Sequence, residues 1–145
     1  MNRLFLLIWT CLLFIFTFNS DFKGLLVDRK VRFQFEIIPN LSHVFYFYSL
    51  NTIGSFTVLQ KIGHFFFFFV LAYLLFRVYS NLKPTFVIGM GYAFLTEFVQ
   101  AFFKREARVQ DVMVDVMGVL AFIILYVVIK DLRRLLKRDK DARVI

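Results

Sequence analysis

One cysteine, two prolines and one tryptophan leave little to staple or punctuate this chain of 145 residues. Cys11 has no partner for an intrachain disulfide, and it lies within an apolar run. The small residues that precede a lipoprotein cysteine are missing, since Ile8, Trp9 and Thr10 stand there. No small-x-small cleavage site follows "MNRLFLLIWTCLLFIFTFN", so this stretch reads as an uncleaved signal-anchor. Histidine is also scarce. His43 adds little, and His64, Glu97 and Asp115 show neither an HExxH motif nor a paired-ligand spacing, so neither metal nor cofactor is expected. Acidic residues are outnumbered 10 to 18, giving a net charge of +8. Seven of the 18 basic residues fall between Lys130 and Arg143, directly after an apolar segment. That is the pattern of a juxtamembrane tail, and no nucleic-acid partner is expected.

Apolar surface is what the chain has in excess: 60% hydrophobic residues, 22 of them phenylalanine, and a mean hydropathy of +0.71. A soluble domain of this size has too much surface for its volume to hide so much. No repeat or low-complexity linker divides residues 1–145, which read as a single integral membrane domain. The expected fold is all-α, a bundle of four transmembrane helices at about residues 4–20, 62–79, 85–103 and 112–129. Asn81 and Pro84 in "SNLKP" mark the turn between the second and third spans. A long extracytoplasmic loop, 21–61, joins the first two, and a basic cytoplasmic tail covers 130–145.

Within that loop, "KVRFQFEI" (Lys30–Ile37) alternates apolar and polar residues, the period of a strand with one greasy face. An isolated strand cannot cross a bilayer, so an interfacial strand or hairpin is expected, pairing with Gly24–Val27 across Asp28 and Arg29. "SHVFYFYSLNTIGSF" reads as an interfacial or re-entrant aromatic segment. The basic tail places the C-terminus in the cytoplasm, and four spans return the N-terminus to the same side. Ten basic residues then lie inside against eight outside, so the tail carries this orientation.

That topology gathers the polar residues of the spans at one depth. Lys61 and His64 open the second span, Glu97 and Gln100 close the third, and Asp111 and Asp115 open the fourth. Arg105 and Arg108 lie in the connection. The pairs are spaced i, i+3 or i, i+4, so each shares a helix face. Gly118 continues the carboxylate face and permits close helix packing. Glu97 sits about 9 Å in from Phe103 at helical rise, too deep for its short side chain to reach water, so it needs a partner or a wet pocket. A salt-bridge network that only ties helix ends together is the simplest account, but ionisable groups inside a membrane are costly enough to point to a functional pocket.

"LQKIGHFFFFFVLAYLL", "TEFVQAFF" and "ARVQDVMVDVMG" together resemble the VanZ-like family of small bacterial membrane proteins. The resemblance covers about residues 59–126 and rests on Lys61, His64, Phe65, Glu97, Gln100, Phe102, Arg105 or Arg108, Asp111, Asp115 and Gly118. Two departures stand out. Lys104 directly precedes Arg105 where members often have Pro-Gly, so either Arg105 or Arg108 takes the family arginine's place; and Asp115 stands where Asn is common. The resemblance implies a multi-pass protein of the bacterial cytoplasmic membrane and cell envelope. The family is named for a protein that confers low-level resistance to the antibiotic teicoplanin.

The leading expectation is that an outer-leaflet pocket of Lys61, His64, Glu97, Gln100, Arg105, Arg108, Asp111 and Asp115 binds an anionic membrane lipid or a lipid-linked peptidoglycan precursor, and so affects teicoplanin susceptibility. One alternative is an enzyme acting on an envelope lipid, with Glu97 and His64 as its catalytic acid–base groups. The other is a structural or partner-binding protein offering "KVRFQFEI" as a strand edge.

Overall fold

The computed structural model describes residues 1–39, 41, 44–46, 54–105 and 107–142. Among these residues there are five helices: α1 (Asn2–Phe18), α2 (Phe22–Val27), α3 (Ser55–Tyr79), α4 (Leu82–Gln100) and α5 (Val109–Ala142). The fold is all-α, with no strand among the described residues. Two of the helices, α3 and α5, are long and apolar enough to cross a membrane, and α1 is a shorter apolar helix. At about 1.5 Å per residue, the 19 residues of α4 reach roughly 28 Å.

Helix ends follow from local chemistry. Ser80, at φ 53°, closes α3 in the left-handed region. Asn81 then caps α4 by accepting the Lys83 N–H at 2.9 Å. Pro84 falls in the first turn of α4, where its missing donor costs nothing. The far end of α4 comes earlier than hydropathy suggests. Phe102 and Phe103 donate to the carbonyls of Val99 and Gln100, tightening the chain into turns, and Lys104 at φ 53° ends it. At the other end, α3 starts at Ser55, about two turns before the expected boundary at Ile62.

Packing centres on α3, which touches α1, α4 and α5 and shares its most extensive interface with α5. Leu13, Phe68, Leu71, Leu75, Val119 and Phe122 form the core with Ala72 and Ala93. Trp9 fixes α1 against α3, stacking on Phe67 with centroids 5.0 Å apart and donating its indole N–H to the Phe67 carbonyl at 3.0 Å. On the outside the usual order is inverted. Along α4, Phe94, Leu95 and Phe98 are exposed while Thr96, Glu97 and Gln100 are buried. A helix with its polar side inward and its phenylalanines outward is stable against lipid, not against water.

The expected hairpin does not form. Gly24–Val27 belongs to α2, whose N-terminus Asp21 caps by accepting the Gly24 N–H at 2.8 Å. Among the described residues Lys30–Ile37 has no strand partner; single bonds hold it against the helix ends instead. Arg32 N–H donates to Asn19 Oδ1 (2.7 Å), Gln34 N–H to Ser20 Oγ (2.9 Å) and Glu36 N–H to the Phe102 carbonyl (2.7 Å). The alternation serves side-chain packing: Phe33 lies against Phe14 and Phe103, and Phe35 against Phe102 and Phe103. Most of the aromatic segment Ser42–Phe56, His43 included, lies outside the described residues.

Asn19 is the pivot of this arrangement. It is fully buried, and its Nδ2 also donates to the Asp21 carbonyl at 3.0 Å. Asn19→Ala removes both bonds and strands the Arg32 N–H, while the Asp21 carbonyl keeps the Leu25 N–H, at a cost of about 1–3 kcal/mol. Hydrogen exchange should show the loss as faster exchange at residues 30–37, with α3 and α5 unchanged.

Candidate functional site

Three helices and one connection bring eight polar side chains to one end of the bundle. Lys61 on α3 forms an ion pair with Asp111 in the first turn of α5, both side chains being mostly buried. One turn deeper, His64 Nδ1 lies 2.9 Å from Asp115 Oδ1. Glu97, 4% exposed, faces the same region from α4, and its Oε2 accepts the Arg108 N–H at 3.2 Å. Suitable atoms of His64, Glu97 and Asp115 all lie within 4.8 Å of one another.

Gly118 sets this geometry. A Cβ there would collide with the Phe65 carbonyl oxygen and stand 3.1 Å from the Phe69 nitrogen. The α5 backbone therefore rests directly on that of α3, one residue after His64 and three residues after Asp115. Close backbone approach is what small residues provide in membrane helices.

The remaining polar residues reach α1. Gln100 Nε2 donates to the Thr17 carbonyl at 3.1 Å. Arg105 Nη1 lies 3.0 Å from that same carbonyl and 3.4 Å from those of Phe16 and Asn19. The last carbonyls of a helix have no partner within it, and a guanidinium answers several at once. Burial lowers the Arg105 pKa from its usual value, although Glu97 and Asp111 pull it upward. An arginine nevertheless stays charged. Arg108 has another role: its guanidinium sits 5.9 Å from the centroid of the Tyr46 ring.

Above this layer is a polar cavity of about 280 Å³, lined by Thr57, Gln60, Lys61, Lys104, Arg105, Arg108 and Asp111. Among the described residues, four cations thus line it with one carboxylate. The buried layer beneath offers His64, Glu97 and Asp115 for proton transfer or for coordination.

Every site residue expected from the sequence lies in this region, in two layers: Lys61, Arg105, Arg108 and Asp111 line the cavity, and His64, Glu97, Gln100 and Asp115 lie in the helix interior. Sequence reasoning missed Thr57 and Gln60, which it left in a loop, and it did not include Lys104 in the pocket. The extra helical turns before Ile62 carry the first two. It also missed α1, whose contribution is backbone carbonyl oxygen at Phe16, Thr17 and Asn19; such groups leave no side-chain signature.

A model of the VanZ/LLP1 family matches residues 4–130. The chain is 37% identical over 132 residues to the uncharacterized membrane protein YwnJ of Bacillus subtilis (strain 168), covering 90% of this chain and 93% of that one. No solved structure matches.

Proposed function

Because the chain belongs to the VanZ/LLP1 family and is a membrane protein, we propose that it binds the anionic head group of an envelope lipid. In this reading α1, α3, α4 and α5 each cross the bacterial cytoplasmic membrane, with both termini inside. The seven basic residues after Ile129 then meet the anionic inner leaflet, and the polar cavity opens at the outer surface.

One observation carries the proposal: among the described residues, four cationic side chains and one carboxylate line a cavity of about 280 Å³. That volume is small for a whole ligand but suits a phosphate-bearing head group whose acyl chains stay in the bilayer. Arg105 and Arg108 offer planar donors suited to phosphate, and Lys61 and Lys104 add point charges. A phospholipid and a lipid-linked wall precursor share this chemistry. Occupancy of such head groups at the outer surface would alter how a glycopeptide such as teicoplanin meets the envelope.

The test titrates detergent-solubilised protein with dihexanoyl phosphatidylglycerol and with its zwitterionic phosphatidylcholine counterpart. The anionic lipid should bind preferentially, and the Lys104→Ala/Arg108→Ala double variant should bind it at least about tenfold more weakly. Equal affinity for the two lipids, or an unaffected double variant, contradicts the proposal.

A further inference from the structure

We infer that His64, Glu97 and Asp115 form a site for a divalent transition-metal ion beneath the cationic cavity. Their donor atoms come from α3, α4 and α5 and gather within 4.8 Å of one another. One imidazole and two carboxylates are a donor set that suits Zn²⁺ or Mn²⁺. Ligands bound at about 2.1 Å stand about 3 Å apart when adjacent and about 4.2 Å apart when opposite. The 2.9 Å between His64 Nδ1 and Asp115 Oδ1 is already the length of such an edge. Small rotations of the remaining side chain would close the set.

A second observation points the same way. Asp115 is fully buried, yet its Oδ2 meets no hydrogen-bond donor among the described residues. Gln100, one turn beyond Glu97 on the same face of α4, is 2% exposed, and its Oε1 is likewise without a donor. Buried carboxylate and carbonyl oxygens without donors are costly, and a cation answers that cost where a hydrogen bond does not. Lys61 forms its ion pair with Asp111 one turn higher, and among the described residues the side chain of Asp115 is hydrogen-bonded to the His64 imidazole through Oδ1.

Sequence spacing speaks against a metal because spacing rules describe ligands that share one helix or loop. Here three helices supply one ligand each, and Gly118 brings two of them together. The inference does not depend on the head-group reading, since none of the three ligands lines the cationic cavity.

The experiment uses full-length protein in detergent, stripped with EDTA and then titrated with Zn²⁺ or Mn²⁺. Metal content is measured by mass spectrometry after gel filtration, and the unfolding temperature is recorded. Wild type should take up about one equivalent of at least one of the two ions and unfold at a higher temperature once loaded. His64→Ala and Asp115→Asn should lose both responses, whereas Lys104→Ala/Arg108→Ala should keep them while losing the anionic lipid. Stripped wild-type protein that stays folded but takes up neither ion overturns the inference. So does uptake that persists in both His64→Ala and Asp115→Asn. Because the first of these results needs only wild type, poor folding of a variant does not protect the inference. Head-group binding is scored separately on the same stripped protein.

Discussion

Gly118→Val should be the most damaging single substitution in the bundle, lowering stability by about 3 kcal/mol or more. The α3–α5 interface is the most extensive in the fold, and at Gly118 a side chain would meet the Phe65 carbonyl oxygen and the Phe69 nitrogen. Backbone in the middle of a helix cannot swing aside, so the two helices must part. Separation there also pulls Asp115 away from His64, whose contact lies within one turn of Gly118. Two other glycines provide the contrast. A Cβ at Gly89 would lie 3.0 Å from Cγ2 of Val119, a side chain that can shift, and one at Gly63 would touch nothing within 4 Å. Gly89→Ala should therefore cost less than Gly118→Ala, and Gly63→Ala should be neutral or mildly stabilising because alanine suits a helix better. Thermal unfolding of the variants in one detergent gives the order directly. A Gly118→Val protein as stable as Gly63→Ala would refute the close approach.

Arg105→Ala should cost about 2–3 kcal/mol, because it leaves the carbonyls of Phe16, Thr17 and Asn19 without the cation they face. Arg105→Lys should recover only part of that loss, since a single ammonium cannot match the reach of a planar guanidinium. The damage should be local, with faster hydrogen exchange at the end of α1 and along residues 30–37, which Asn19 holds in place. Arg108→Ala should behave differently. It leaves its backbone N–H on Glu97 and removes only the side chain that lines the cavity and lies over Tyr46. The two arginines are three residues apart and both line the cavity, yet Arg105 also holds the end of α1. If Arg105→Ala left both unfolding temperature and exchange unchanged, the three carbonyl contacts would carry no weight.

The polar layer was legible in the sequence for a simple reason. A carboxylate or a histidine in an apolar helix is expensive, so Glu97, His64 and Asp115 had to find one another, and helix direction alone placed them at one end. Gly118 was legible through its spacing from Asp115. The hairpin was not, because alternation reports which side of an extended chain is greasy and not what its backbone bonds to. Lys30–Ile37 has the period of a strand, but the aromatic residues Phe14, Phe102 and Phe103 and the Asn19 amide supply its contacts. A signal for α2 was present in Asp21, a good N-cap three residues ahead of Gly24. The end of α4 was misplaced because Phe102 and Phe103 are as hydrophobic as a span residue, while the turn depends on the left-handed conformation at Lys104.

Native mass spectrometry of protein gently extracted from bacterial membranes asks whether the cationic cavity holds the proposed anionic head group. Wild type should retain an anionic lipid in preference to zwitterionic lipid, and Lys104→Ala/Arg108→Ala should lose it while keeping the wild-type unfolding temperature. An equally stable double variant that retains the same lipid to the same extent would contradict the account.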